Sequence, residues 1–358
     1  MEIRRLMLPL LFLLAVSAAC AQTRLTSSGL DADAFAGQTD GQPTALYVLT
    51  NSHGVEACVT NYGARLVSLM LPDRDGRLED VVLGFDSLAD YRRFRQNFGA
   101  TVGRYAGRVE LGGIRISHGG NPGFANRVWE LVDRQPQCLR LRLVSPDGES
   151  GFPGELTTLL TYTLTEQDEL ILDYEATTTK PTFLNFTHHS FFNLSGQPDR
   201  DILNETLLIA ADSIAEYAPE KNVTGRFLPV EGTPFDFRTE RRIGDRIDAD
   251  DAQLKVTKGY DHAFQLKASE GPAVVVWDPA SGRTMSVTTT EPAAHIYTAN
   301  GLKGALTGKR GICYPRRSAV CVETMHFAYS PSYPQFPSTE LLPGDTFRSQ
   351  TVYRFGVR

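Results

Sequence analysis

Side chains that alternate between apolar and polar recur along this 358-residue chain, and this pattern limits its fold more than any other feature. The clearest run is LRLRLVS at 139–145. Because successive side chains of a strand point to opposite faces, such runs predict strands with one buried face. Helix signals are scarce, and the best is SLADYRRFRQ at 87–96, which Ser87 would cap. The sequence therefore predicts an all-β fold with very few short helices.

Turn-forming residues separate several of these runs and predict antiparallel hairpins. Residues 166–168 lie between TTLLTYTLT and ELILDYEATTT. Residues 74–76 lie between LVSLMLPD and EDVVLGF, and residues 279–282 lie between AVVVWD and TMSVTTT. The C-terminal TFRSQTVYRFGV is expected to close a sheet, and 216–237 to form a long surface loop.

No linker, repeat or low-complexity tract divides the chain after its first twenty or so residues. Many strands without a break predict one large β-sandwich domain over residues 22–358. A sandwich of this kind can carry a cleft on one sheet face, lined by alternate residues of several strands.

The N-terminus has the composition of an export signal. Arg4 and Arg5 precede the apolar run LMLPLLFLLAV and the small residues SAACAQ, which predicts a signal peptide over 1–21, too short to span a membrane comfortably. A cut before Gln22 fits Ala19-Cys20-Ala21, whereas Cys20 also resembles a lipoprotein site. We expect export to the periplasm or the exterior, with a lipid anchor at Cys20 as the alternative.

Charge and cysteine content exclude several classes of partner. The formal net charge is -6 and no long Lys/Arg run occurs, which argues against binding to nucleic acid. Cys58, Cys138, Cys313 and Cys321 match neither a CxxC nor a zinc-binding spacing. We expect no essential disulfide, no metal and no other cofactor.

The run NFTHHSFFNL at 185–194 places two histidines side by side in an aromatic-rich segment that is predicted to be a strand. One face would carry Asn185, Thr187, His189, Phe191 and Asn193, and the other Phe186, His188, Ser190, Phe192 and Leu194. The first face is the more polar, so His189 is the better candidate for a cleft and His188 for the core. Purely structural hydrogen bonds from both histidines are the alternative.

Five polar groups, His189 among them, lie on or beside predicted strands and could act together. They comprise a candidate carboxylate base, an imidazole acid, a second carboxylate, an arginine and another histidine, namely Glu323, His189, Asp261, Arg108 and His118. Each could be structural alone, but neutral polyols are bound by sets of charged hydrogen-bonding groups with an aromatic side chain nearby.

Several longer motifs carry a resemblance to a known family. SPDGESGFPGEL at 145–156, THHSFFNLSG at 187–196, GYDHAF at 259–264, and Glu323-Thr324 followed by FPST-x-LLPGD occur in the same order as in the aldose 1-epimerase, or galactose mutarotase, family. The chain resembles this family from about residue 40 to its C-terminus. The resemblance implies a large β-supersandwich and interconversion of the α and β anomers of free aldoses such as glucose and galactose, without a cofactor. We expect a monomer or weak dimer.

The resemblance also implies roles for individual residues. Glu323 matches the general base that takes the proton from the anomeric hydroxyl, and His189 matches the general acid that protonates the ring oxygen. The ring opens, the C1–C2 bond rotates, and the aldehyde recloses from its other face. Arg108 and His118 match residues near the ring oxygen and hydroxyls, and Asp261 matches the carboxylate that holds sugar hydroxyls. We expect His295 to bind the substrate as well.

Other positions depart from the family pattern. His295 stands where glutamine is usual, Gly107 where asparagine is usual, and Met325 where glutamine follows the Glu-Thr pair. The segment between Arg108 and the HGG motif at 118–120 is shorter than usual. Because Glu323 and His189 are kept, these departures concern the substrate more than the reaction.

Acid–base chemistry sets a condition on the two protonation states. The base must be ionised and the acid protonated, and with unperturbed pKa values of about 4.3 for Glu and about 6.5 for His both hold best between those values. We expect a neighbouring carboxylate, Asp261, to keep His189 protonated at higher pH.

Three other functions compete with mutarotation. A secreted carbohydrate-binding protein of the same fold, with weak or lost turnover, would fit the altered positions 107, 295 and 325. A glycoside hydrolase would pair Glu323 with Asp261, but a histidine acid fits poorly there. A metal site built from His188, His189 and His118 is disfavoured because adjacent strand residues point in opposite directions.

Overall fold

Strands make up most of the regular structure in the computed structural model, which describes residues 25–268 and 271–358. The predicted signal peptide and Cys20 lie outside these residues. The α-helices in the described part are α1 Leu88–Phe94 and α2 Ala252–Thr257, and 3-10 turns occupy Ala32–Phe35, Phe124–Asn126, Glu149–Gly151, Ile243–Asp245, Lys309–Gly311 and Ser330–Ser332. Neither α-helix has the length and apolar character that crossing a membrane requires. The prediction of an all-β fold with few short helices is confirmed.

The strands are, in chain order, β1 Gly37–Thr39, β2 Gln42–Thr44, β3 Leu46–Thr50, β4 Glu56–Thr60, β5 Arg65–Pro72, β6 Leu78–Asp80, β7 Ala100–Val102, β8 Arg108–Leu111, β9 Ile114–Ser117, β10 Glu130–Gln135, β11 Cys138–Ser145, β12 Leu156–Leu164, β13 Glu169–Thr178, β14 Thr182–Phe183, β15 Thr187–His189, β16 Thr206–Ile209, β17 Ala211–Tyr217, β18 Val223–Pro229, β19 Arg241–Arg242, β20 Asp261–Leu266, β21 Val274–Trp277, β22 Arg283–Thr289, β23 Ala293–Tyr297, β24 Cys321–Met325, β25 Glu340–Leu341 and β26 Phe347–Val357.

Three larger sheets organise these strands. The largest has nine strands in the order β10-β11-β12-β13-β26-β22-β21-β16-β19, the second has five in the order β18-β17-β20-β23-β24, and the third has four in the order β3-β4-β5-β6. Two-stranded sheets join β1 with β2, β7 with β15, β8 with β9, and β14 with β25.

The predicted hairpins are present. β12 pairs with β13, β21 with β22, and β5 with β6, all antiparallel. The C-terminal β26 lies between β13 and β22 in the nine-stranded sheet, so the end of the chain joins two halves of that sheet. α1 begins after Ser87, whose hydroxyl accepts a hydrogen bond from the Asp90 amide, as its sequence predicts.

Apolar side chains from all three larger sheets form one buried cluster. The five-stranded sheet contributes Phe264 from β20, Ile296 from β23 and Val322 from β24. Since neighbouring residues on a strand face opposite ways, His295 and Glu323 lie on the other face of this sheet. Burial of one face therefore fixes which residues the opposite face presents.

Two expectations about local structure are corrected. Only Thr187–His189 of the run 185–194 forms a strand. Asn185 Nδ2 donates to the carbonyls of Ala106 and His326, and Asn193 Nδ2 donates to loop carbonyls, including that of Ser318. These bonds tie the flanks of the run to loops, because amide side chains compete with the strand ladder for backbone groups.

The segment 216–237 is not a simple surface loop. It contains the C-terminal end of β17 and all of β18, which pair in the five-stranded sheet. Its polar and glycine-rich composition reflects an edge strand with a bulge between Ala215 and Tyr217, not a lack of regular structure.

Candidate active site

A cavity of ≈ 300 Å³ lies on the face of the five-stranded sheet that points away from the core. Its floor consists of alternate residues of four adjacent strands: Ala215 and Tyr217 of β17, Asp261 and Ala263 of β20, His295 and Tyr297 of β23, and Glu323 and Met325 of β24. The spacing of two along each strand is the period of a pleated sheet. The cavity volume lies at the lower end of the range of about 300–1,000 Å³ for small-molecule sites.

Loops and short strands outside the sheet form the walls. β15 supplies His189, the hairpin of β8 and β9 supplies Arg108 together with the following His118, and the turn between β17 and β18 supplies Lys221. All six residues singled out from the sequence, Glu323, His189, Arg108, His118, Asp261 and His295, line this one cavity.

Glu323 and His189 face each other across the cavity. Oε1 of Glu323 and Nε2 of His189 are 3.6 Å apart, and their side chains are 8% and 10% exposed. The imidazole stacks on Phe191 with ring centroids 4.9 Å apart and meets the edge of Tyr297. Nδ1 of His189 has no hydrogen-bond partner in the described structure, so stacking and the β15 backbone orient the ring.

Burial places the proton of this pair on the carboxyl group. It raises the pKa of Glu323 to about 7 and lowers the pKa of His189 to about 3. Both shifts have the same physical cause, because removal from water disfavours the charged form of either group. A neutral pair that holds one proton is therefore favoured over an ion pair in the empty cavity.

The expectation that Asp261 keeps His189 protonated is wrong, because burial lowers the pKa of His189 more than the charge of Asp261 raises it. Asp261 is bonded to another imidazole. Its Oδ1 lies 2.8 Å from Nε2 of His295. Burial alone would lower the pKa of His295, but the hydrogen bond and charge of Asp261 outweigh burial and raise it. The imidazole whose protonated form Asp261 stabilises by a direct hydrogen bond is therefore that of His295.

The register of the sheet brings that imidazole to the carboxyl group of Glu323. His295 and Glu323 are directly opposite each other on β23 and β24, and side chains in such pairs have Cβ atoms about 4.5–5.5 Å apart. Burial has the largest effect on the pKa of Glu323 and raises it. His295 has the second largest effect and lowers that pKa. His295 therefore favours the ionised form of Glu323.

The β8–β9 hairpin closes one side of the cavity. The His118 amide donates to the Gly107 carbonyl, and the His118 side chain lies exposed at the rim. Gly107 has φ +68, and an added Cβ would lie 3.2 Å from Cβ of Ala328 and 3.4 Å from Cε of Met325. Glycine at 107 thus permits close contact between the hairpin and the end of β24.

Three features of the site were missed from the sequence. Lys221 falls in the segment interpreted as a surface loop, and only the pairing of β17 with β18 directs it to the cavity. Tyr297 and Cys321 lie two positions from His295 and Glu323, so the strand period could have identified both.

One group in the described residues is close enough to hold a metal ion. It comprises His189, Cys321 and Glu323, whose ligand atoms lie within 4.8 Å of one another. Burial raises the pKa of the Cys321 thiol well above its usual value, whereas metals bind the thiolate. The cysteines among the described residues are free thiols, namely Cys58, Cys138, Cys313 and Cys321.

The arrangement suits proton transfer to and from two oxygens of one small polar ligand. A carboxyl and an imidazole separated by 3.6 Å can each contact a different oxygen, and neither is occupied by a bond to the other. The flat rings of Phe191 and Tyr297 provide apolar surface, while Asp261, Arg108 and His118 provide polar contacts.

Comparisons with known proteins agree on one family. The family model for aldose 1-epimerase matches residues 45–354. The galactose mutarotase of Mus musculus is 37% identical over 318 residues, which cover 84% of this chain and 90% of that protein. The aldose 1-epimerase of Escherichia coli (strain K12) is 36% identical over 340 residues, which cover 88% of this chain and 96% of that protein.

Solved structures share the fold. An aldose epimerase homologue from C. elegans superposes with a TM-score of 0.81 at 27% identity and covers 88% of this chain and 99% of its own. Galactose 1-epimerase from Lactobacillus acidophilus NCFM superposes with a TM-score of 0.76 at 29% identity and covers 90% and 97%. The expected supersandwich of the galactose mutarotase type is thereby confirmed.

The pairing of His295 with Asp261 has a measurable consequence. In the wild type, we expect His295 to titrate above the usual pKa of about 6.5 for histidine. In Asp261→Asn the stabilising charge is lost while burial remains, so the pKa of His295 should fall below that of the wild type. Histidine ring resonances followed by NMR across pH measure both values.

Glu291→Gln is the matched control, because it neutralises another carboxyl group that bonds a histidine, His326. It should leave the titration of His295 unchanged. An unchanged titration of His295 in Asp261→Asn would contradict the pairing.

Proposed function

The chain belongs to the aldose 1-epimerase family, and on that premise we propose that it interconverts the α and β anomers of free aldohexoses such as glucose and galactose. One observation supports this most directly. A buried carboxyl and a buried imidazole face each other 3.6 Å apart on the wall and floor of a sugar-sized cavity. Mutarotation needs such a pair, since it moves one proton off an oxygen and another onto an oxygen.

Glu323 and His189 carry the two proton transfers in this proposal. The Glu323 carboxylate takes the proton of the anomeric O1 hydroxyl, the C1–O5 bond breaks, and His189 gives its proton to O5. The open-chain aldehyde then rotates about C1–C2. In reclosure the O5 hydroxyl attacks the other face of C1, returns its proton to His189, and the new O1 takes the proton from Glu323.

Protonation of the empty site determines how this cycle begins. Before ring opening, the proton shared by the pair must lie on His189, although burial places it on Glu323. His295, opposite Glu323, offsets part of this preference, because it lowers the pKa of Glu323. Sugar hydroxyls that replace water against both groups supply further hydrogen bonds to the ionised form. After ring opening the pair is neutral, as in the empty site.

The remaining predicted residues hold the sugar in this proposal. Asp261 accepts hydrogen bonds from hydroxyls while it fixes His295, and Arg108 and His118 contact the ring from the β8–β9 hairpin. Phe191 both orients His189 and offers an apolar surface to the ring carbons. Holding the sugar against both proton-transferring groups at once lowers the entropic part of the barrier.

The altered surroundings of the site do not favour a binding protein that lacks turnover. His295 replaces the glutamine usual in the family, yet it bonds Asp261 and supports the ionised form of Glu323. A glycoside hydrolase would need Asp261 free to act with Glu323, whereas Asp261 is engaged with His295.

Loss of either proton-transferring group should abolish most of the catalysis. We expect Glu323→Gln and His189→Ala each to lower kcat by about 10²–10⁴, the usual contribution of a general acid or base. Polarimetry of freshly dissolved α-D-glucose and α-D-galactose measures the approach to anomeric equilibrium above the buffer rate.

Glu291→Gln and His53→Ala are matched controls, since they remove the same chemical groups outside the cavity. Both should keep wild-type rates. Folded wild-type protein that fails to accelerate any aldose would overturn the proposed function, and full activity in Glu323→Gln would overturn its mechanism.

We also propose that residues 1–21 direct export to the periplasm or the exterior and are then removed. The basic residues, apolar run and small residues at the cleavage region support this. The intact mass of the protein recovered from cells and medium should correspond to a chain that begins at Gln22. A mass that includes a diacylglyceryl group on Cys20 would indicate the lipid anchor instead, and an unprocessed Met1 would contradict export.

A further inference from the structure

Two cations of the cavity lack the partners that its other charged groups have. Asp261 is bonded to His295, and Glu323 faces His189. Neither Arg108 nor Lys221 has a carboxylate within the 4.0 Å of an ion pair anywhere in the described residues. The cavity thus holds one guanidinium and one ammonium that form no ion pair with a carboxylate of the described residues.

The same two residues are held together by the backbone. Nη1 of Arg108 donates to the carbonyl of Lys221, 3.2 Å away, in the turn between β17 and β18. Lys221 has φ +62, and its amide donates to Ala218 while the Ala218 amide donates to Asn222. The Arg108 carbonyl in turn accepts from the Tyr329 amide. Two separate hairpins are therefore fixed so that their cations lie on one wall.

Lys221 acts on the interior of the cavity. Burial would raise the pKa of Asp261, but His295 and weaker charges that include Lys221 keep it below its usual value. The Lys221 ammonium therefore lies near enough to influence a carboxylate on the cavity floor without forming an ion pair with it.

Half-buried cations without partners favour an anionic ligand. Arg108 and Lys221 are both partly removed from water, so each loses hydration that no protein anion replaces. A guanidinium presents paired donors that fit a carboxylate, and an adjacent ammonium adds a point charge. A neutral sugar would leave the charges of Arg108 and Lys221 on this wall without an ion-pair partner.

The reaction restricts which anionic sugar can use the site. A substrate for ring opening must keep a hemiacetal at C1, so an aldonic acid, whose C1 is the carboxylate, is excluded. An aldohexuronic acid keeps the hemiacetal and carries its carboxylate at C6, on the carbon next to the ring. It is also the size of a hexose, which suits a cavity of ≈ 300 Å³.

We propose that the preferred substrates are aldohexuronates, whose C6 carboxylate binds between Arg108 and Lys221. This inference rests on the proposed function, because it assigns a substrate class to the same acid–base pair. It adds a specificity-determining role for Lys221, which contacts the substrate anion and takes no part in proton transfer.

The test compares D-galacturonate with D-galactose and D-glucuronate with D-glucose by polarimetry at neutral pH, with D-glucose 6-phosphate as a third anion. We expect kcat/KM for each uronate to exceed that of its neutral hexose by about tenfold or more at low salt, the effect of one charge-assisted contact. Raising the ionic strength from about 0.01 M to about 0.5 M should reduce this ratio, because salt screens charges that solvent reaches.

Lys221→Met removes the ammonium and keeps most of the length of the side chain, and we expect it to reduce the uronate-to-hexose ratio about tenfold. Lys303→Met is the matched control, since Lys303 is exposed and does not line the cavity. It should leave the ratio unchanged.

Each outcome decides a different point. A neutral hexose favoured over its uronate, or a ratio that Lys221→Met does not change, would overturn this inference while the proposed function stands. A 6-phosphate favoured over both uronates would overturn the assignment to a carboxylate. Failure to accelerate every one of these sugars would count against the proposed function itself.

Discussion

Burial of one carboxyl group beside one imidazole is the condition on which the rest of the site depends. In water Glu323 would be ionised at neutral pH, and His189 would be partly protonated. In the cavity both lose hydration, and the neutral pair with one shared proton becomes the favoured form. That form corresponds to the protonation state of the pair when the sugar is open, so the protein stabilises the state in which C1–C2 rotation occurs.

The five-stranded sheet creates this condition while it builds the core. Val322 and Ile296 point into the buried apolar cluster, which forces their neighbours Glu323 and His295 to the opposite face. Direct pairing of β23 with β24 then sets the imidazole of His295 against Glu323, and Asp261 on β20 raises the pKa of that imidazole. A shift of one residue in the register of any one of these strands would turn its polar group away from the cavity.

The sequence predicted strands, hairpins and the facing of His189 because these depend on local periodicity, which the chain displays directly. It predicted Glu323 and His189 as a pair only through motifs in family order. The partner of Asp261 could not be predicted, since His295 is on another strand and the choice depends on register. Lys221 was missed for a related reason: a polar, glycine-containing segment looks like a loop until its pairing with β17 is known. The prediction of a single domain over 22–358 and of a monomer or weak dimer stays a prediction.

The pH dependence of kcat/KM tests the shared proton most directly, because this quantity reports ionisations of the free enzyme. With buffer catalysis subtracted, we expect kcat/KM to be constant in the acid range. Above about pH 7 it should fall tenfold per pH unit, because Glu323 of the free enzyme then loses the single proton of the pair. The plateau of kcat/KM should end on its acid side near the pKa of His189, about 3, because below that pH the pair holds two protons. A value of kcat/KM that stays constant from about pH 6 to about pH 9 would contradict the account.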